Sequence, residues 1–227
     1  MADLEMIKRK VGKEASQFVE SGMTIGLGFG STAYWLIQAL GERVKNGETF
    51  YGVPTSNQTA EWAKEVGIHL TDFAHVTTLD VAIDGADEVD ENFQLIKGGG
   101  GALLREKIVA SAAKEFIVIV DYTKIVQKLG AFPLPIEIIP FGYERTQKRI
   151  AKLGLHPTLR KEEEEVYLTD NGNYILDCAG EVIENPSELS HTLHNIPGVV
   201  ESGLFIDMAA KVIVGKEDSI EILDVKK

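Results

Sequence analysis

Between residue 3 and about residue 130 the chain alternates helix-length segments with short apolar runs, and few architectures accept that alternation. Segments 3–21, 31–45, 56–66 and 102–114 read as helices. TIGLG at 24–28, FYGVP at 50–54, VAIDGA at 81–86, QLI at 94–96 and FIVIVD at 116–121 read as strands. Helix and strand in turn mark parallel βαβ units, and continuous apolar runs fit a sheet covered on both faces.

After Lys128 the character changes. In GAFPLPIEIIPF, the two prolines ahead of the apolar run suggest a linker into an edge strand, so a new unit starts near residue 130. It reads as strand 136–141, helix 144–154, strand 157–160, strand 165–169, a turn at Asp170-Asn171-Gly172-Asn173, strand 174–178, helix 187–196 and strand 199–205. Asn-Gly between two apolar runs is a hairpin signal, and the element order is close to the ferredoxin-like split βαβ pattern. KVIVGK and SIEILD near the end are placed to return to the first sheet.

At 227 residues the chain can bury one substantial core, or one core with a smaller appended domain. Hydrophobic residues at 44% and charged residues at 26% are globular proportions, which argues against disorder, coiled coil or collagen. No apolar run approaches the roughly 20 residues needed to span a bilayer, and MADLEMIKRKVGKEA lacks the apolar stretch of a signal peptide, so a cytoplasmic location is expected. The lone cysteine, Cys178, cannot form an internal disulfide and reads as a buried packing residue. A formal charge of −12 makes nucleic acid and anionic membrane poor partners. An acidic protein that binds a phosphate must gather its few cations locally.

Three segments carry residues suited to chemistry. GLGFGSTA, Gly26–Ala33, falls where a strand ends and a helix begins. Glycines there let the backbone approach a ligand, and the amides and hydroxyls of Ser31 and Thr32 at a helix N-terminus suit a phosphate. A P-loop would need a lysine before Ser31. A dinucleotide fingerprint would need glycine at Ser31 and an acid about 20 positions on, but the second strand ends in Pro54, Thr55 and Ser56. A tight turn with a serine cap is the plainer alternative. DGADE, Asp84–Glu88, follows an apolar run, and carboxylates at the carboxyl end of a parallel strand point into the crevice where open α/β sheets bind ligands. A solvated turn and a metal site are the alternatives; no histidine lies nearby in sequence, and DGADEVDEN lacks EF-hand spacing. KGGGGALLREK, Lys97–Lys107, is the strongest signal, because four consecutive glycines carry a large entropy cost wherever the chain must be fixed. The run ends in a helix whose N-terminal amides suit a developing oxyanion, and Glu106, about one turn in, leans back toward the glycines.

Taken together, DGADE, KGGGG with its trailing REK, DYTK at 121–124, FPLPIEIIP, TDNGN and IPGVVESGLF resemble ribose-5-phosphate isomerases of the A type over nearly the whole chain. The resemblance implies a Rossmann-like three-layer α/β catalytic domain, residues 1–129 plus 207–227, with an inserted ferredoxin-like α+β domain, 130–206. It implies interconversion of D-ribose 5-phosphate and D-ribulose 5-phosphate with no cofactor and no metal, in a homo-oligomer, dimer or tetramer. Glu106 is then the base. Lys97 and the amides of Gly98, Gly99 and Gly100 stabilise the enediolate. Asp84 shuttles the hydroxyl proton or helps open the furanose ring, and Asp87 keeps Lys97 charged and oriented. Ser31, Thr32 and Lys124, with Lys8 from the first helix, hold the phosphate, while Phe29, Gly30, Gly85 and Ala86 complete the substrate contacts. One position departs from the family: threonine is common where this chain has Phe29, which removes a hydroxyl and leaves only the backbone amide.

Other assignments stay in view. The five histidines (69, 75, 156, 191 and 194) fall outside the three segments, and His191 with His194 reads as surface or packing rather than metal binding. Trp35 and Trp62 sit in helical apolar patterns and read as core. An amino-sugar phosphate deaminase, a CoA transferase and a non-catalytic sugar-phosphate sensor are the rival functions.

Overall fold

The computed structural model describes residues 3–180 and 182–225. In chain order its elements are α1 (Leu4–Ala15), β1 (Thr24–Leu27), α2 (Ser31–Lys45), β2 (Tyr51–Pro54), α3 (Asn57–Glu65), β3 (His69–Leu70), β4 (Val81–Asp84), β5 (Glu88–Val89), β6 (Leu95–Ile96), α4 (Leu103–Ser111), β7 (Phe116–Asp121), β8 (Leu134–Ile138), α5 (Tyr143–Ala151), β9 (His156–Leu159), β10 (Lys161–Glu162), β11 (Glu165–Val166), β12 (Tyr174–Ala179), α6 (Pro186–His194), β13 (Val199–Ser202), β14 (Leu204–Phe205), β15 (Lys211–Gly215) and β16 (Ile220–Asp224). They form two compact units. One is Met1–Ala86, Arg105–Lys124 and Met208–Lys227; the other is Asp87–Leu104 and Ile125–Asp207.

The first unit is built on a seven-stranded sheet in the order β16-β15-β7-β4-β1-β2-β3. All neighbours are parallel except β16, which pairs antiparallel to β15 at the edge. From β1 the chain winds outward through β2 and β3, then returns to β1's other side as β4 and continues to β7, which is the Rossmann-like order expected. KVIVGK and SIEILD do return to this sheet, as β15 and β16. The apolar runs lack alternation because both faces are covered, and all six residues of β7 are buried. Ile25, Leu27 and Ile83 from the sheet pack with Leu36 and Ile37 of α2 in one core. Local signals set the helix starts: Asp3 accepts from the Glu5 and Met6 amides at 3.1 and 3.4 Å, and Ser56 from Thr59 at 3.0 Å. The helix expected over 3–21 ends at Ala15 and tightens into a 3-10 turn at Ser16–Phe18, where the Ser16 hydroxyl donates to the Lys13 carbonyl at 2.7 Å.

In the second unit β8-α5-β9-β12-α6-β13 forms a four-stranded antiparallel sheet ordered β13-β8-β12-β9, the ferredoxin-like arrangement. Three details correct the sequence reading. β8 is an inner strand, not an edge; its ladder with β13 ends at Ile136 opposite Ser202, so the missing amide of Pro135 falls just outside that ladder. Residues 165–169 do not pair with β12, because β9 holds that place. β11 instead pairs with β10, and the Asn-Gly turn is closed by Thr169 donating to Asn173 at 3.0 Å. The strand expected over 199–205 breaks at Gly203, and β14 joins β6 and β5 in a separate small sheet. That pairing also places 87–104 in the second unit, whereas the sequence division kept them in the first.

Candidate active site

In the first unit the chain reverses between β1 and β4, and the crevice beyond the carboxyl ends of those two strands is where such sheets take ligands. Asp84 ends β4 and is 3% exposed. Its Oδ1 accepts from the amides of Phe29 at 3.0 Å and Gly85 at 2.7 Å. Gly28, which closes β1 by donating to the Ile83 carbonyl at 3.0 Å, makes room for this carboxylate: a Cβ on residue 28 would overlap the Asp84 carboxyl group and lie 2.6 Å from its Cα. The carbonyls of Leu27 and Gly28 are held at 3.0 Å by the hydroxyls of Thr55 and Thr59. Phe29 stacks on Trp62 with ring centroids 5.7 Å apart, so the aromatic departure has a packing partner, while its amide serves Asp84. Gly30, at φ 120°, is the residue before α2 and offers no side-chain cap, which leaves the first amides of α2 beside Ser31 and Thr32.

On the same edge, Lys124 ends the 3-10 turn Tyr122–Lys124 that follows β7. Lys8 is half-buried on α1 next to Ile7, whose carbonyl would lie 3.6 Å from a Cβ on Gly215, the residue opposite Asp121 in the sheet register. Both lysines therefore belong to the carboxyl edge of this unit. Glu106 lies in the first turn of α4 and is 5% exposed.

The second unit holds the rest. Asp87 accepts from the amide of Gly99 at 2.8 Å. Glu88, the third acid of DGADE, accepts from Gly130 at 2.7 Å and Phe132 at 2.6 Å and fixes that loop. Each acid of the motif thus has its own donors, which answers the repulsion that three neighbouring carboxylates would otherwise suffer. Lys97 is 2% exposed, donates its amide to the Gly203 carbonyl at 2.9 Å and sets its ammonium 5.4 Å from the Phe205 ring centroid. The glycine run is demanded by geometry. Gly98 and Gly101 take φ of 102° and 86°, and a Cβ on Gly99 would lie 2.7 Å from Asp87 Oδ1 and 2.9 Å from Phe132.

Sequence reasoning missed four residues that shape these segments. Gly28 and Gly203 are close-approach glycines, and Arg160 and Tyr167 reach the glycine run from a distant part of the chain. Gly28 stood inside GLGFGSTA and Gly203 inside IPGVVESGLF, while Arg160 and Tyr167 lay in stretches read only as strands. Of the histidines, His194 has both ring nitrogens engaged, with the Ser190 carbonyl and Glu201 at 2.7 Å each. Among the described residues no three His, Cys, Asp or Glu side chains are gathered as a metal would need. Cys178 is buried, as expected.

A Rossmann-like parallel sheet with a buried carboxylate at its switch point and an uncapped helix start after the first strand defines an α/β protein of the class that takes small ligands at that crevice. Residues 51–219 match the family described as ribose 5-phosphate isomerase A (phosphoriboisomerase A). Ribose-5-phosphate isomerase A 1 of Oceanobacillus iheyensis is 56% identical over 98% of this chain and 100% of its own length. Among solved structures, ribose 5-phosphate isomerase A of Methanocaldococcus jannaschii superposes with a TM-score of 0.92 at 41% identity, covering 97% of this chain and 99% of that one. A D-ribose-5-phosphate isomerase in complex with phospho-erythronic acid gives 0.95 at 41% identity over 98% and 99%. This chain belongs to the ribose 5-phosphate isomerase A family.

Proposed function

We propose that this chain interconverts D-ribose 5-phosphate and D-ribulose 5-phosphate through an enediolate, in the non-oxidative pentose phosphate pathway. The observation that carries the reading is Asp84: a buried carboxylate held by two amides at the switch point of the sheet, in a chain matched to the family across most of its length.

The chemistry is a balanced pair of proton transfers. The Glu106 carboxylate removes the proton from C2 of the open-chain aldose, and the electron pair forms the C1–C2 double bond as charge moves to O1. The Lys97 ammonium and the amides of Gly98 and Gly100 receive that charge; the Gly99 amide is engaged by Asp87, which makes its share indirect. Asp84 carries the hydroxyl proton from O2 to O1 and assists opening of the furanose ring. Glu106 then returns its proton to C1, giving the ketose. Asp87 steadies Lys97 and the glycine run together. Ser31, Thr32 and the amides that begin α2 bind the phosphate with Lys124 and Lys8 as counter-charges, and Phe29, Gly30, Gly85 and Ala86 line the same ligand. No cofactor or metal enters this scheme.

A homo-oligomer, dimer or tetramer, belongs to the same reading, and Phe141, 91% exposed in the second unit, offers apolar surface for it. A cytoplasmic location is part of the same reading; among the described residues no helix is long and apolar enough to cross a membrane. The test is turnover of ribose 5-phosphate in EDTA by the purified protein beside Glu106→Gln. Rapid turnover abolished by the substitution, with ligand binding retained, is expected. No turnover by folded wild type would move the chain to a deaminase, a transferase or a sensor.

A further inference from the structure

We propose that Arg160 is a positioning residue for the isomerisation: anchored by Asp177, it clamps the carbonyls of the glycine run so that the amides on the other side of those peptides face the developing enediolate. The proposal deepens the isomerase reading and rests on it.

All of its geometry lies within the second unit. Arg160 follows β9 and donates its own amide to Ile175 at 2.9 Å. Its guanidinium is fixed by a two-pronged contact with Asp177, Nε to Oδ2 at 2.8 Å and Nη2 to Oδ1 at 2.5 Å. The remaining donor, Nη1, reaches the carbonyls of both Gly98 and Gly99 at 3.1 Å. Tyr167, whose amide donates to the Arg160 carbonyl at 3.0 Å, extends a longer contact of 3.4 Å from its hydroxyl to the Gly100 carbonyl. Its ring also fills the space beside Gly101, where a Cβ would sit 2.6 Å from Tyr167 Cζ. Three successive glycine carbonyls are therefore held by two side chains.

Orientation and polarisation both follow. A peptide is planar, so fixing a carbonyl fixes the amide of the next residue on the opposite side. Holding Gly98 aims the Gly99 amide, which meets Asp87, and holding Gly99 aims the Gly100 amide, which makes no hydrogen bond among the described residues. A permanent positive charge on the carbonyl oxygen draws electron density through the peptide and makes that amide a stronger donor. Arginine suits the task because its fork is rigid and it stays charged at any working pH. Four glycines in a row would otherwise be free to rotate, and an oxyanion site works only when its donors are already in place.

The test compares wild type, Arg160→Ala, Arg160→Lys and Asp177→Asn for kcat, KM and binding of phospho-erythronate, whose carboxylate mimics the enediolate. Thermal melts monitor the fold. Losing an oxyanion donor outright costs about 10²–10³-fold in kcat, so weakening and misaiming one should cost roughly 10–100-fold. Arg160→Ala is expected to lose that factor in kcat and in phospho-erythronate affinity, with KM for ribose 5-phosphate little changed. Millimolar guanidinium should restore part of the loss, and lysine, a point charge, should recover less than arginine. Wild-type turnover with an Arg160→Ala variant of unchanged kcat and unchanged phospho-erythronate affinity overturns the clamp while leaving the isomerase reading intact. So does a loss that follows the melting temperature and that guanidinium does not relieve. Absence of turnover in wild type itself removes the reading and the clamp with it.

Discussion

Replacing Gly28 with alanine should damage catalysis without changing the identity of any reacting group. The added Cβ would lie 2.6 Å from the Asp84 Cα and overlap its carboxyl group. An ordinary carbon–carbon contact is about 3.5–4.0 Å, so the two strands must part by about 1 Å or the carboxylate must leave its place. Turning the side chain cannot relieve a clash with backbone. Overpacking of this kind costs about 1–3 kcal/mol, and loosening either amide bond to the carboxylate adds on the order of 1.5 kcal/mol. A total of about 2.5–4.5 kcal/mol corresponds to a Tm fall of roughly 5–18 °C, at about 2–4 °C per kcal/mol for a chain of this size. Moving Asp84 by about 1 Å should lower kcat on the order of 100-fold. Gly180→Ala is the control, since its Cβ meets nothing nearer than Leu155 Cδ2 at 3.7 Å and should leave both quantities close to wild type. Scanning calorimetry and a coupled isomerase assay read the two effects. A Gly28→Ala protein with wild-type Tm and kcat would refute the close packing of β1 against Asp84.

Three further outcomes are expected. Phe29→Thr keeps the amide that serves Asp84 and loses the stack on Trp62, so kcat/KM should change by less than about threefold while Tm falls by about 1–6 °C; a large loss of activity would show that the ring itself acts on the substrate. Burial holds the Asp90 carboxyl above the usual carboxylate range despite amides donated by Asn92 and Gln94. Below the ordinary value of 3.8 both states are protonated; as pH rises through the raised folded pKa, the unfolded state is favoured and stability falls. Asp90→Asn, which cannot ionise and keeps an acceptor for both amides, should therefore melt higher than wild type at pH 7, with the gap closing below about pH 4; an equal gap at both pH values would contradict the assignment. Burial pushes the Cys178 thiol up to about 12, so a disulfide reagent at pH 8 should label the unfolded chain and leave the native protein unmodified over minutes, and rapid native labelling would show that the residue opens to solvent.

What could be read from sequence divides by range. The inner parallel strands of the first sheet look like short apolar runs because both of their faces are covered, and β7 and α2 fall where their patterns put them, whereas the two-residue edge strand β3, with His69 exposed, carries no such run. The same logic failed where pairing depends on which strand arrives beside another. Prolines in FPLPIEIIP pointed to an edge, yet β8 lies inside its sheet because the neighbouring ladder stops before Pro135. Residues 165–169 carried a fair strand pattern and lost their place to β9, a competition invisible to any local window. The candidate site shows the division in its sharpest form. Asp84, Asp87, Lys97 and Glu106 stood out as candidates because charged groups beside glycines at a strand end conflict with plain packing and call for a reason. Arg160 and Asp177 were silent, since an arginine after a strand and an aspartate within one are ordinary in isolation; their meaning lies in the guanidinium joining Asp177 to carbonyls about 60 positions away in sequence. The glycine run announces that the backbone there must be free to take unusual angles, and that freedom itself requires something outside the run to fix it. A chain that spends four glycines on one loop implies a clamp, and only the fold reveals which residues provide it.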